Sequence, residues 1–301
     1  MEPAPVPLVL FGATGAVGGR LLARLRRQAR PVLAVSRAAR GEDDVRWLRG
    51  DLYAGDDALA AAVRAALPPA PAPWLLSAGP LDGFAAWAVR AGLPAGARVV
   101  ALSSMSADTK LDSHDPQERA LAARLRGAEA ALLDAAAAQG WSATLLRPTL
   151  IWGTGLDRSL SPLVALGARV RLLPLPRGSV GLRQPVHADD LAQAMLAAAA
   201  RPELGGEVLP LPGGETLGFD AMLERSLAVH APHARVLRVP DAPVLRLLPV
   251  LARAGGRLRA IDNALRRSRV DLVAPGDAWA RLGIAPRPFR PGPEAFRAAG
   301  G

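Results

Sequence analysis

The chain has 301 residues, half of them hydrophobic, no cysteine, and a formal net charge of +10 carried almost wholly by arginine, Lys110 being the only lysine. Such a length buries a full core, as one large domain or as a main domain with a smaller appendage, while the lack of cysteine excludes disulfides, thiolate chemistry and cysteine metal sites. No apolar run reaches the ~20 residues of a spanning helix, and the first residues carry no export signal, so a cytoplasmic protein is expected.

In chain order, Leu8–Phe11 is a short apolar run that reads as a buried strand. Gly12, Gly15 and Gly18 then form a G-x-x-G-x-x-G turn, and Arg20 to Arg27 continues as a helix with Leu21, Leu22 and Leu25 on its inner face. Strands are predicted at Pro31–Ser36, Val45–Arg49, Trp74–Ser77, Arg98–Ser103 and Ser142–Leu146, alternating with helices at Ala58–Leu67 and Phe84–Ala91. A longer helix starts at Asp115, an N-cap followed by Pro116 and by Glu118 in a capping-box position, and ends near Gln139 before Gly140. Beyond Arg147-Pro148 the rhythm loosens: a helix from Asp190 to Ala200, short strands at Glu207–Leu211 and Arg235–Val239, and amphipathic helices at Val244–Ala254 and Arg257–Arg267. Alternating strands and helices predict an α/β fold, a Rossmann-type doubly wound parallel sheet. Residues 1–150 would form the dinucleotide-binding core, and residues 151–301 would complete it and build a smaller C-terminal α/β lobe for substrate.

Strand, glycine turn and helix are the context a dinucleotide fingerprint requires. Gly12, Thr14, Gly15, Ala16, Val17 and Gly18 would let backbone approach a pyrophosphate at the positive end of a helix. Arg37 lies 19 positions after Gly18, at the end of the second strand. An acid there would bind a ribose 2′-hydroxyl; arginine accommodates a 2′-phosphate, favouring NADP(H) over NAD(H). The plain alternative makes Arg37 one of many surface arginines. Asp51, with Leu52 beside it, would accept from the adenine amino group, or else cap local backbone. Ser77, Ala78 and Gly79 end the fourth strand with the small residues that close approach of a ribose needs. His114, His187, His230 and His233 form no helical ligand pair, so no metal is expected. Between Arg246 and Arg269 seven arginines face one acid, Asp262. Aromatics are too sparse there for a nucleic-acid stacking surface, leaving a solvated face, an anionic small ligand, or a helix docking on anionic membrane.

Five segments together resemble the short-chain dehydrogenase/reductase superfamily, in its extended or atypical branch with the nucleotide-sugar epimerases and dehydratases. They are Gly12-Ala-Thr-Gly-Ala-Val-Gly18, Gly50-Asp51-Leu52, Ser103-Ser104, Leu146-Arg147-Pro148-Thr-Leu-Ile-Trp-Gly153 and Gln184-Pro-Val-His187-Ala-Asp-Asp190, in the expected order from residue 7 to about 290. The resemblance implies cofactor contacts at Ser103, Arg147 and Pro148, a substrate-polarising hydroxyl at Ser104, and substrate contacts at Ser104, Arg183 and His187. It also implies a small-molecule partner such as a nucleotide-diphosphate sugar.

One departure stands out. Redox-active members carry a Tyr and a Lys spaced Y-x-x-x-K on the helix after the fifth strand, where the cation lowers the phenol pKa. Here the one tyrosine is Tyr53 and the one lysine Lys110; the matching positions fall near Leu121 and Leu125. Two functions follow as expectations: an epimerase, dehydratase or reductase with an altered proton relay, in which Asp112 or His114 could stand in as acid, or a redox-silent NADP(H)-binding sensor or scaffold. Asp189 or Asp190 would cap the following helix.

Overall fold

The computed structural model describes residues 6–37, 45–55, 57–156, 160–243, 246, 262 and 264–296. Its elements run β1 (Leu8–Phe11), α1 (Ala16–Arg27), β2 (Leu33–Ser36), β3 (Arg46–Arg49), α2 (Ala58–Ala66), β4 (Trp74–Ser77), α3 (Leu81–Arg90), β5 (Arg98–Leu102), α4 (Ser106–Thr109), α5 (Pro116–Gln139) and β6 (Ser142–Pro148). There follow β7 (Ile151–Trp152), α6 (Leu160–Gly167), β8 (Leu172–Pro176), β9 (Leu182–Arg183), β10 (Val186–His187), α7 (Ala188–Ala199), β11 (Val208–Leu211), β12 (Leu217–Gly218), α8 (Phe219–His230), β13 (Arg235–Val239) and α9 (Asp277–Leu282). The amphipathic helices expected at Val244–Ala254 and Arg257–Arg267 fall largely outside the described residues.

The chain divides into two compact units: Met1–Pro148 with Asp189–Leu211 and Gly276–Ile284, and Thr149–Ala188 with Pro212–Pro275 and Ala285–Gly301. The first is built on a seven-stranded sheet in the order β11-β6-β5-β4-β1-β2-β3, every neighbouring pair parallel. Successive side chains on a strand point to opposite faces. Val9, Phe11, Leu75 and Val99 pack with Leu59 of α2, Phe84 and Trp87 of α3 and Leu132 of α5. Leu10, Leu76 and Val100, of the other parity, are equally buried. Both faces are covered, which is why the strands read as continuous apolar runs. Phe11 meets Phe84 edge-on at 5.1 Å and Trp87 at 4.6 Å, locking β1 to α3. Sheet order reverses between β1 and β4, and α/β sheets bind ligands at such a switch point.

The second unit has small two-stranded ladders, β10-β7, β12-β9 and β13-β8. Leu160 and Leu163 of α6 and Phe219, Met222 and Leu223 of α8 build its core with Trp152, Leu173, Leu175 and Phe289.

Candidate functional site

The glycine turn is shaped by clearances of an ångström or two. Gly12 adopts φ +73°, and a Cβ there would sit 2.6 Å from the Gly79 nitrogen; one on Gly18 would sit 2.0 Å from the Gly12 carbonyl oxygen. These two glycines let β1, β4 and α1 pack together. Gly15 differs: it N-caps α1 in extended backbone (φ −82°), and its Cβ would be no nearer than 3.3 Å to the chain, beside a cavity that Gly15 lines. The Gly15 amide closes the turn onto the Gly12 carbonyl at 3.0 Å. The amides of Ala16, Val17 and Gly18, in the first turn of α1, have no partner within the helix. Val17 and Gly18 are themselves buried and offer backbone only.

That cavity encloses about 370 Å³, the size range of small-molecule sites. Phe11 and Val35 form an apolar floor, Gly12, Thr14 and Gly15 one wall, Ala78, Gly79 and Pro80 another, and Arg37, Gly50, Asp51, Leu52 and Tyr53 the rim. The four sequence segments expected to touch cofactor up to residue 79, namely the glycine turn, Arg37, Asp51-Leu52 and Ser77–Gly79, therefore each contribute to one cavity at the carboxyl ends of β1 to β4. Ser77 is not in the lining; its hydroxyl is buried and has no hydrogen-bond partner among the described residues. Asp51 accepts the Tyr53 amide on Oδ1 at 3.0 Å, so it does cap local backbone, while its second oxygen remains for another donor. The arrangement fits the adenosine and pyrophosphate part of a dinucleotide: an apolar slot, a carboxylate at its rim, and a cradle that one added Cβ at Gly15 would narrow.

Tyr53 closes the outer rim. Its hydroxyl donates to Asp82 Oδ1 at 2.8 Å, and burial, followed by that bond, pushes its pKa up to about 12. This is the opposite of the depressed phenol that proton transfer at neutral pH needs.

At the ends of β5 and β6 a second cluster is assembled. Arg147 donates Nε to Glu129 Oε1 at 2.8 Å and Nη1 to Asp108 at 2.8 Å, and its Nη2 completes a bidentate pair with Glu129. The Ser103 hydroxyl donates to the same Glu129, which is 4% exposed, and Arg126 reaches Asp108 at 2.8 Å. Hydrogen bonds donated to Glu129 hold the Arg147 guanidinium above its usual pKa. Ser103 and Arg147 thus tie β5, β6, α4 and α5 together. Ser104 Oγ accepts the Ser106 amide at 3.1 Å, at the start of the short α4, which leaves its own proton to donate. Leu121 and Leu125 are half-buried on α5. Lys110 pairs with Glu118 at 3.2 Å, and Asp112 and His114 are exposed beside it. Neither Glu129 nor Asp108 was singled out by sequence; Arg147 binds them across 18 and 39 residues.

In the second unit Arg183 is 4% exposed and donates to the carbonyls of Leu182 and Val270 at 2.7 Å, and of Arg267. Its guanidinium lies 5.5 Å over the Phe219 ring, and burial pulls its pKa down to about 10. These contacts join β9 to the 267–270 segment. His187 is buried edge-on to Trp152 at 4.5 Å, and Gly153, at φ +99°, leaves the room its ring occupies. Among the described residues no group of three or more His, Asp or Glu could hold a metal, and no helix is long and apolar enough to cross a membrane.

Strand order, switch point and glycine turn define a Rossmann-type α/β fold. Among solved structures it is similar to MoeE5 in complex with UDP-glucose and NAD, at 20% identity over 96% of this chain and 97% of that one, TM-score 0.67. The epimerase Mth375 from Methanothermobacter thermautotrophicus matches at 16% identity over 97% and 91%, TM-score 0.70. UDP-glucose 4-epimerase from Thermotoga maritima, solved with UDP-glucose, matches at 12% identity over 97% and 96%, TM-score 0.66. At these identities the likeness is one of fold. No protein-family model matches the sequence, and comparison with curated proteins gives no match.

Proposed function

We propose that this chain binds NADP(H) in the cavity at the ends of β1 to β4 and acts on a nucleotide-sugar or related hydroxyl or carbonyl substrate, as an epimerase, dehydratase or reductase with an altered proton relay. The observation that carries the reading is the cavity itself, where Gly12, Gly15, Asp51, Ala78 and Gly79 meet around a slot of nucleotide size. Structural neighbours with NAD and UDP-sugars in their solved forms support the ligand classes. When bound, the nicotinamide would supply hydride acceptance and return. The chain's own residues would orient it: amides at the start of α1 toward the pyrophosphate, Asp51 toward the adenine, Arg37 toward a 2′-phosphate, and the Ser104 hydroxyl toward a substrate oxygen.

A second reading, a redox-silent NADP(H)-binding sensor or scaffold, is favoured by one set of contacts. The only phenol is held by Asp82 and the only lysine by Glu118, while leucines stand at 121 and 125. Titration of NADPH and NADH by fluorescence tests the binding that both readings share. Turnover of nucleotide-diphosphate sugars at saturating cofactor then separates them. General acid–base assistance is worth about 10²- to 10⁴-fold, so little turnover is expected. A rate above ~1 s⁻¹, the low end of ordinary enzymes, would exclude the silent reading, and absence of dinucleotide binding would overturn both.

A further inference from the structure

Beside the nucleotide cavity lies a second groove of about 620 Å³, which shares Arg37, Gly50 and Asp51 with it. Its far side is formed by Arg49, at the end of β3, and by Ala54, Ala58 and Ala62. Ser36 and Arg49 are register partners on β2 and β3, so Arg37 and Arg49 emerge from adjacent strands at the same edge of the sheet. Both are exposed. Among the described residues neither guanidinium has a carboxylate or carbonyl partner. Other arginines of this region are engaged: Arg46 with the Ala66 carbonyl, Arg64 with Ala91 and Arg90 with Gly55.

We propose that Arg37 and Arg49 together form a phosphate-monoester site in this groove, and that Arg49 is a determinant of preference for a 2′-phosphorylated adenosine. The proposal rests on the nucleotide-binding reading above and goes past it. The electrostatic argument turns on Asp51, which lines both spaces. A single arginine beside that carboxylate gives a locally neutral rim, with little attraction for a dianion. Two arginines leave a net positive charge, and each presents a planar fork suited to phosphate oxygens. The three alanines keep the groove wide enough for the phosphate without a competing donor or acid.

The test uses the full chain with 2′,5′-ADP and 5′-AMP as probes, which separates the phosphate from the nicotinamide. Wild type is expected to prefer 2′,5′-ADP. Arg49→Ala should weaken 2′,5′-ADP by roughly 10- to 100-fold, as loss of one charge-assisted contact implies, leave 5′-AMP unchanged, and keep the melting temperature, since Arg49 is exposed. Arg49→Lys should recover part of the loss, a point charge replacing a fork. Equal binding of both probes by wild type would overturn the phosphate site while leaving the nucleotide cavity standing. A preference that survives Arg49→Ala in full would assign the phosphate to Arg37 alone. Binding of neither probe would overturn the nucleotide reading and this site with it.

Discussion

Replacing Glu129 with alanine tests whether the cluster at the ends of β5 and β6 is a structural lock. Glu129 is 4% exposed and accepts from Ser103 and twice from Arg147. Truncation leaves the Ser103 hydroxyl without its acceptor and Arg147, 17% exposed, with Asp108 as its carboxylate. Breaking one side of a buried pair costs about 3–5 kcal/mol, and the lower end applies because Asp108, 35% exposed, still compensates part of the charge. About 3 kcal/mol is a large share of the ~5–15 kcal/mol that stabilises a typical domain. Arg147→Met should cost a similar amount, by burying Glu129 unpaired. The double variant Glu129→Ala/Arg147→Met removes both charges together, so it should fall short of the sum by on the order of 2–3 kcal/mol. Urea unfolding followed by tryptophan fluorescence gives these values from shifts of the midpoint at constant slope. A loss under ~1 kcal/mol for Glu129→Ala, or a double variant equal to the sum of the singles, would refute a coupled buried pair.

Gly15→Val is expected to fold, because Gly15 has extended backbone that valine tolerates, and to lose dinucleotide binding as its side chain fills the cradle; retained binding would place the ligand elsewhere. Gly18→Ala should instead destabilise the unit, its Cβ meeting the Gly12 carbonyl, which a thermal melt reads directly. Tyr53, the only tyrosine, should titrate in a single step near 12 rather than 10 by phenolate absorbance, and Asp82→Asn should bring it part of the way back. Because its folded pKa is raised, its contribution to stability is present below pH 10 and is lost as pH climbs toward 12. Glu207 has the opposite sign: hydrogen bonds from Arg281 depress its pKa, so its stabilisation is complete above the ordinary value of 4.5 and disappears as pH falls through the depressed one. Glu207→Gln should lower Tm at neutral pH and match wild type in acid; a pH-independent difference would count against the ion pair.

The first unit was largely legible. Leu8–Phe11 and Trp74–Ser77 can be read to the residue because strands covered on both faces leave apolar runs cut off by glycine or proline. Asp115 and Pro116 mark the start of α5, and Asp115 does accept the Gln117 amide at 2.9 Å. Less of the second unit was visible. β8 contains Pro174 and Pro176, which in sequence argue against a strand; in the structure it pairs with β13 alone, and an edge tolerates residues without an amide proton. β7, β9, β10 and β12 are two residues each, too short for any period, and exist through their long-range partners. α8 carried a readable stripe, Phe219, Met222, Leu223, Ser226 and Leu227 buried on one face, which the surrounding glycines obscured. Within the site, glycines and small residues announced themselves by spacing, whereas Arg49 gave no signal: the register of β2 and β3 sets it opposite Ser36, and only the folded groove brings it together with Arg37.

The seventh strand has a consequence for how this protein is made. β11 completes the sheet by pairing with β6, yet it starts 60 residues after β6 ends, at 208 against 148. At about 5–20 residues per second of synthesis, the ribosome takes ~3–12 s to deliver it, and α9 comes later still. Throughout that interval β6 is an open edge with unpaired amides and carbonyls, a template for pairing with another nascent chain. A nick or premature stop between β6 and β11 therefore releases a six-stranded sheet with a bare edge, a product prone to aggregate rather than a free-standing nucleotide-binding fragment.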